Sequence, residues 1–216
     1  MDISTAFLQC TPYPEHVCKY LKFRNPVSGE WIYYRQITPI YGEAGAPKYW
    51  ELTLSPFLVD SLGFTRADNE PCLYYHSERD LVLCVYVDDV AVDGEQADIE
   101  WFRDALAERF DCKEMTWLSE DTSIDFLGMD IIMDDQRVYL SMERYIDNML
   151  KTFDLTDCKS ASTPIEKAID PESGPLTPTE HKLLYSMNGM IGWLSNTEHC
   201  SSRSLSGSLP CESALG

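Results

Sequence analysis

Two adjacent carboxylates, Asp88 and Asp89, interrupt an apolar run that starts at Leu81 and resumes at Val90-Ala91-Val92. The preceding residues, Leu83-Cys84-Val85-Tyr86-Val87, are β-branched, aromatic and apolar, the composition of a buried strand. Ionised aspartates beside buried valines are costly unless a cation balances them. A divalent metal is the natural counter-charge, and oxygen-only ligation suits Mg²⁺. Two such ions about 4 Å apart activate an attacking hydroxyl and stabilise the leaving oxygen in phosphoryl transfer. Successive strand residues point to opposite faces, so the pair alone cannot complete that clamp and a third carboxylate is required. The competing reading of Asp-Asp is a solvated hairpin turn. Apolar flanks on both sides, without the Gly or Asn of a surface turn, weigh against it.

Around this segment the pattern is mixed α and β. Trp31 to Ile37 follows the turn signal Asn25-Pro26-Val27-Ser28-Gly29 and predicts a strand. Trp50, Leu54, Phe57, Leu58 and Leu62 have helical spacing, with Pro47 at a first-turn position, Gly63 as a stop, and Pro56 expected to bend or break the helix. Cys72 to His76 and Leu81 to Val92, joined by Ser77-Glu78-Arg79-Asp80, predict a β-hairpin whose second arm the two aspartates interrupt. Gln96 to Phe110 is an amphipathic helix with Ile99, Phe102, Leu106 and Phe110 on one face. Phe126 to Met133 and Val138 to Ser141 predict a second hairpin, after which Ser141 is placed to cap a helix bearing Tyr145, Met149 and Phe153. Four prolines between 154 and 182 predict an extended connector, Leu183 to Leu194 a short helix, and the Ser-rich residues from 201 a frayed tail.

The chain has 216 residues, 44 % of them hydrophobic, enough for a folded core. Its 17 basic and 36 acidic residues leave a net charge of −19, opposed to autonomous DNA or RNA binding. Eight cysteines and four histidines show no zinc-ligand spacing, and the thiols read as buried and reduced. With neither signal peptide nor membrane span in the pattern, the expectation is an intracellular protein, in cytoplasm or nucleus, that is not secreted and has no membrane partner.

The hairpin Leu81 to Val92, with its YVDD, resembles the catalytic hairpin of reverse transcriptases, and the surrounding pieces resemble the copia type of long-terminal-repeat retrotransposon. Asp2-Ile3-Ser4-Thr5-Ala6-Phe7-Leu8 is similar to the family's D-V-K-T-A-F-L, and Tyr41-Gly42 with Ala46-Pro47-Lys48-Tyr49-Trp50 to Y-G-L-K-Q-A-P-R-A-W. Ser61 to Phe64, Glu70 to Tyr74, Phe126 to Ile131 and Leu140 to Ile146 resemble S-L-G-F, D-P-C-L-Y, F-L-G-I-E-I and L-S-Q-E-K-Y-I. Ser162-Thr163-Pro164 and Tyr185 with Gly189 and Gly192 continue the match, in order, to about residue 194.

The resemblance implies an α+β fold, a reverse-transcriptase palm with an antiparallel sheet backed by helices and a short thumb, the fingers missing. Residues 1–133 would be the palm-like core with the start of a primer-grip hairpin, 134–153 the rest of that hairpin and a thumb-like helix, 154–182 the connector, and 183–216 a helix and tail. Asp2 would join Asp88 and Asp89 as catalytic metal ligands for two Mg²⁺ ions, with Mn²⁺ as a substitute, assisted by the Ile3 carbonyl. Phe7 would lie under the incoming sugar, Tyr41 and Gly42 would start the stretch beneath template and nucleotide, Lys113 would face the leaving pyrophosphate, and Phe126, Leu127 and Gly128 would grip the primer. Plain alternatives stand beside these roles: Phe7 as core, Gly128 as relief for a tight strand approach, Lys113 as a solvated surface cation.

The implied function is RNA-directed DNA polymerisation on an RNA/DNA template-primer with deoxynucleoside triphosphates, by a truncated nucleotidyltransferase expected to be inactive as an isolated chain. Ser4, Gln9-Cys10 and Glu43-Ala44-Gly45 replace cationic and amide residues of the family pattern. The alternative expectation is a non-catalytic retrotransposon remnant or protein-interaction module.

Overall fold

The computed structural model describes residues 1–134, 137–159 and 174–201, with side chains through residue 195. Two compact units divide between Thr116 and Trp117. Both are built from helices and antiparallel sheets.

In the first unit, Thr5 at φ 48 turns an extended opening segment into a 3-10 turn, Ala6–Gln9. Strands β1 (Lys19–Arg24) and β2 (Trp31–Gln36) form a two-stranded hairpin. Helix α1 (Ala46–Pro56) has proline in its first turn and buries Ala46, Trp50 and Leu54. Pro56 does not end it. The lost N–H instead falls where α geometry gives way to one π turn, Phe57–Ser61, with the Leu62 N–H donating to the Phe57 carbonyl at 3.1 Å. Gly63, at φ +82, then closes the helix as the sequence pattern indicates.

Four antiparallel strands follow in sequence order: β3 (Thr65–Arg66), β4 (Leu73–His76), β5 (Leu81–Tyr86) and β6 (Asp89–Asp93). The segment expected as one interrupted arm is therefore two strands folded back on each other, with Val85 facing Val90 and Tyr86 facing Asp89. Along β5, Leu81, Leu83 and Val85 point into the core while Val82 and Tyr86 are exposed, the alternation of a sheet covered on one side. Helix α2 (Gln96–Arg109) supplies Ile99, Phe102 and Leu106 to the same core. Ile3, Ala6, Trp50, Leu54, Leu58 and Phe64 complete it. Each large side chain so buried contributes roughly 1.5–3 kcal/mol.

The second unit contains β7 (Ile124–Phe126), β8 (Met129–Asp134) and β9 (Arg137–Ser141) as a three-stranded sheet, then α3 (Glu143–Thr152) and α4 (Pro178–Ser201). Ser141 Oγ accepts from the Glu143 N–H at 3.2 Å, but Met142 occupies the cap position itself. Arg144 of α3 pairs with Asp125 at 2.7 Å and Asp130 at 2.9 Å, tying the helix to β7 and β8. The Tyr145 hydroxyl donates to the Met190 carbonyl at 3.2 Å, linking α3 to α4. Helix α4 begins at Pro178, earlier than the apolar stretch from Leu183 indicates. Connector residues 160–173 and the tail beyond 201 lie outside the described residues. Among the described residues, no helix is long and apolar enough to cross a membrane.

Candidate active site

Val87 and Asp88 form the two-residue turn between β5 and β6, and Asp89 is the first residue of β6. Val87 has φ +56, a conformation that costs a β-branched residue on the order of 1–3 kcal/mol. A hydrogen bond holds it. The indole N–H of Trp50, reaching up from α1, donates to the Val87 carbonyl at 2.6 Å. Trp50 is itself buried and packs edge-on against Phe110, with ring centroids 5.3 Å apart.

Residues 1–4 lie as an extended segment along this turn. The Val90 N–H donates to the Met1 carbonyl and the Ile3 N–H to the Asp88 carbonyl, both at 2.8 Å. On the other side the Lys113 N–H donates to the Asp2 carbonyl and the Ser4 N–H to the Asp111 carbonyl, again at 2.8 Å. Asp2 is thereby bridged to Asp89, and Ile3 to Cys112. Bridged residues project to the same side of a sheet, so Asp2 and Asp89 share a face. Ile3, on the opposite face, is fully buried.

The Lys113 ammonium lies 2.9 Å from Asp2 Oδ2. That hydrogen bond raises the Lys113 pKa above its ordinary value, and the charges of Asp2, Asp88 and Asp89 all act in the same direction. Tyr41 reports the same field: burial first, then the negative charges of Asp88 and Asp2, push its phenol upward. Three carboxylates thus act on one cation. The Cys112 thiol beside them is pushed up to about 11, first by burial and then by Asp111, and is protonated at neutral pH.

Phe7 is buried in the core, as its plain alternative has it, with its ring 4.9 Å from that of exposed Tyr41. Gly42 takes φ +88 with open space around its missing Cβ, so backbone conformation rather than room calls for glycine. Phe126, Leu127 and Gly128 belong to the second unit. Leu127 at φ 56 and Gly128 at φ 79 form the type I′-like turn from β7 to β8. Nothing lies within 4 Å of a Cβ built at Gly128, so it serves the turn rather than a close strand approach.

Two substitutions of the family pattern have local partners. Glu43 is bound by Lys19, by the Tyr13 hydroxyl at 2.9 Å and by Gln36 Nε2 at 2.7 Å. Gln9 spans two loops, its Oε1 accepting from the Asp111 N–H at 2.7 Å and its Nε2 donating to the Asp111 carbonyl at 3.1 Å. Trp50 is the residue whose role the sequence did not disclose. A tryptophan on a buried helix face needs an acceptor for its N–H, and that need was the available signal.

Carboxylate oxygen is the donor type that hard divalent cations prefer, and Asp2 already holds a positive charge in the form of the Lys113 ammonium. In donor type, though not in assembled geometry, the aspartates suit Mg²⁺ or Mn²⁺. Among the described residues, no group of three acidic, histidine or cysteine side chains closes into a metal cluster.

Comparison with known proteins supplies the family. A family model described as "Reverse transcriptase (RNA-dependent DNA polymerase)" matches residues 1–167. The chain is 29 % identical over 132 residues to the "Retrovirus-related Pol polyprotein from transposon TNT 1-94" of Nicotiana tabacum, covering 58 % of this chain and 10 % of that protein. It is 26 % identical over 184 residues to the corresponding polyprotein of transposon RE2 and 24 % to that of RE1, both from Arabidopsis thaliana, covering 76 % of this chain and 11 % of each relative. The chain therefore spans about a tenth of the length of these relatives. No solved structure matches. With YVDD on a β-turn, an aspartate bridged beside it and a family match over most of its length, the chain belongs to the copia-type reverse transcriptases.

Proposed function

We propose that this chain is the palm and thumb part of an RNA-directed DNA polymerase, its first unit the palm and its second the primer-grip hairpin and thumb. In the complete enzyme it would act on an RNA or DNA template-primer and deoxynucleoside triphosphates, inside the cell. The observation that carries the proposal is the extended segment of residues 1–4 hydrogen-bonded along the Val87–Asp88 turn, which bridges Asp2 to Asp89 and sets the Lys113 ammonium 2.9 Å from Asp2.

Asp2 and Asp88 would be the principal holders of two Mg²⁺ ions, with Asp89 and the Ile3 carbonyl beside them. Bound there, the ions would supply activation of a primer 3′-hydroxyl and stabilisation of charge on the departing pyrophosphate. The residues themselves position and compensate charge. The Trp50 bond fixes the turn that presents Asp88, and the backbone of residues 1–4 fixes Asp2 against it. Lys113 neutralises Asp2 and stands ready to move to an incoming phosphate oxygen. Tyr41, over Phe7, walls the nucleotide side.

Metal-dependent addition of a deoxynucleotide to a DNA primer on RNA tests this, using the chain joined to the segment that precedes the matching region in a full-length relative. Asp88→Asn should lower incorporation at least about a hundredfold. Full activity in that variant would contradict the assignment. A second reading, a non-catalytic remnant, is favoured by the −19 charge, which repels phosphate. It predicts no incorporation from the joined chain even when folded.

A further inference from the structure

We propose that one face of the β1–β2 hairpin binds single-stranded nucleic acid, its three aromatic rings stacking on bases and its three cations taking phosphates. The register carries the idea. On one face the cross-strand partners are Tyr20 with Arg35, Lys22 with Tyr33, and Arg24 with Trp31, so each pair joins a ring to a cation. One ring stands on β1 and two on β2, and all are open to solvent, Tyr20 at 63 %, Tyr33 at 61 % and Trp31 at 54 % exposure. The opposite face carries half-buried Leu21 and Ile32 with exposed Phe23 and Tyr34, but its only cation is Lys19, which Glu43 already binds. Residues of one face recur about every 6.8 Å along a strand, a spacing close to the phosphate repeat of a stretched single strand.

The charge is equally uneven. Between residues 19 and 36 four cations stand against one carboxylate, Glu30, in a chain whose net charge is −19. Arg24 Nε donates to the Gly29 carbonyl at 3.2 Å and the Arg35 guanidinium to the Glu15 carbonyl at 3.4 Å, so both have main-chain partners and keep their positive charge. Lys22 Nζ lies 4.0 Å from the Trp31 ring centroid and 5.7 Å from that of Tyr33. Such an exposed cation–π contact is weak, and a base arriving on Trp31 would displace the ammonium toward its own phosphate. Rings interleaved with cations are the recognition chemistry of single strands, because every base has a π face and every nucleotide a charge. Aliphatic anchors for a protein partner are lacking on this face.

This goes beyond the polymerase reading, since it needs neither metal nor the aspartates. The test is fluorescence anisotropy of a labelled oligo(U) or oligo(dT) of about 12 nucleotides with the full chain in EDTA at low salt. Working without metal separates its failure from failure of the polymerase proposal. Saturable binding is expected, weakened about tenfold in Trp31→Ala/Tyr33→Ala and in Lys22→Glu/Arg35→Glu, and kept in Trp31→Phe. The charge-reversal pair removes no packed side chain, so it decides the matter if the aromatic pair unfolds by circular dichroism. No saturable binding, unchanged affinity in the folded charge-reversal pair, or equal competition by phosphatidylserine vesicles or polyglutamate would overturn the proposal.

Discussion

Val87 is the residue on which the acidic centre turns. Its φ of +56 places Asp88 at the tip of the hairpin, and a valine does not adopt that conformation without support. The support is one hydrogen bond from Trp50. Trp50→Phe keeps an aromatic ring in the core but removes the donor and part of the indole's packed volume, so the Val87 carbonyl loses its partner and a small cavity opens. Urea unfolding should show a loss of at least about 1 kcal/mol, and unchanged stability would mean that the turn is held by packing alone. The two aspartates were legible in the sequence because charge inside an apolar run is rare. The Trp50 bond was not, because its partner is 37 positions away and a carbonyl leaves no mark in a sequence. Asp2 was reached only through family resemblance, since a lone aspartate has no local signature.

Among the elements, the connection from β6 to α2 is the most restrictive. Gly94 sits at φ +150, and a Cβ there would come within 2.5 Å of Leu81 Cδ2 and 3.1 Å of the Asp80 carbonyl oxygen. Gly94→Ala should therefore cost on the order of 1–3 kcal/mol in chemical denaturation, and wild-type stability would show that the loop re-forms freely. Gly42, with open space around it, lacks that steric restriction. Several elements could be read in advance. Helix α2 follows its apolar spacing, and Gly63 stops a helix where its conformation allows. The start of α4 was missed, although Thr177-Pro178-Thr179-Glu180 is a capping box. Glu180 accepts from the Thr177 N–H at 2.7 Å, and the Thr177 hydroxyl accepts in return from the Glu180 N–H at 3.3 Å. The surrounding prolines concealed it. Strand β1 was missed for a different reason. Only Lys19 and Leu21 are half-buried, and the exposed Tyr20, Lys22, Phe23 and Arg24 mix charge with aromatic rings, so no apolar alternation marks it.

Across the whole molecule the decisive quantity is charge. A chain at −19 approaches phosphate only where positive charge is concentrated, as on the β1–β2 face, or where metal neutralises carboxylates. In the proposed reading the second route is decisive: Asp2, Asp88 and Asp89 would form one centre that takes divalent cations, with Lys113 as its counter-charge. The bridge of Asp2 to Asp89 and the Lys113 ammonium 2.9 Å from Asp2 support that reading. The most direct measurement is Mn²⁺ binding to the 216-residue chain by electron paramagnetic resonance, compared with Asp88→Asn and Asp2→Asn. Saturable binding that either substitution weakens by about tenfold or more is the predicted result. Mn²⁺ bound equally well by the folded variants would contradict a shared acidic metal centre.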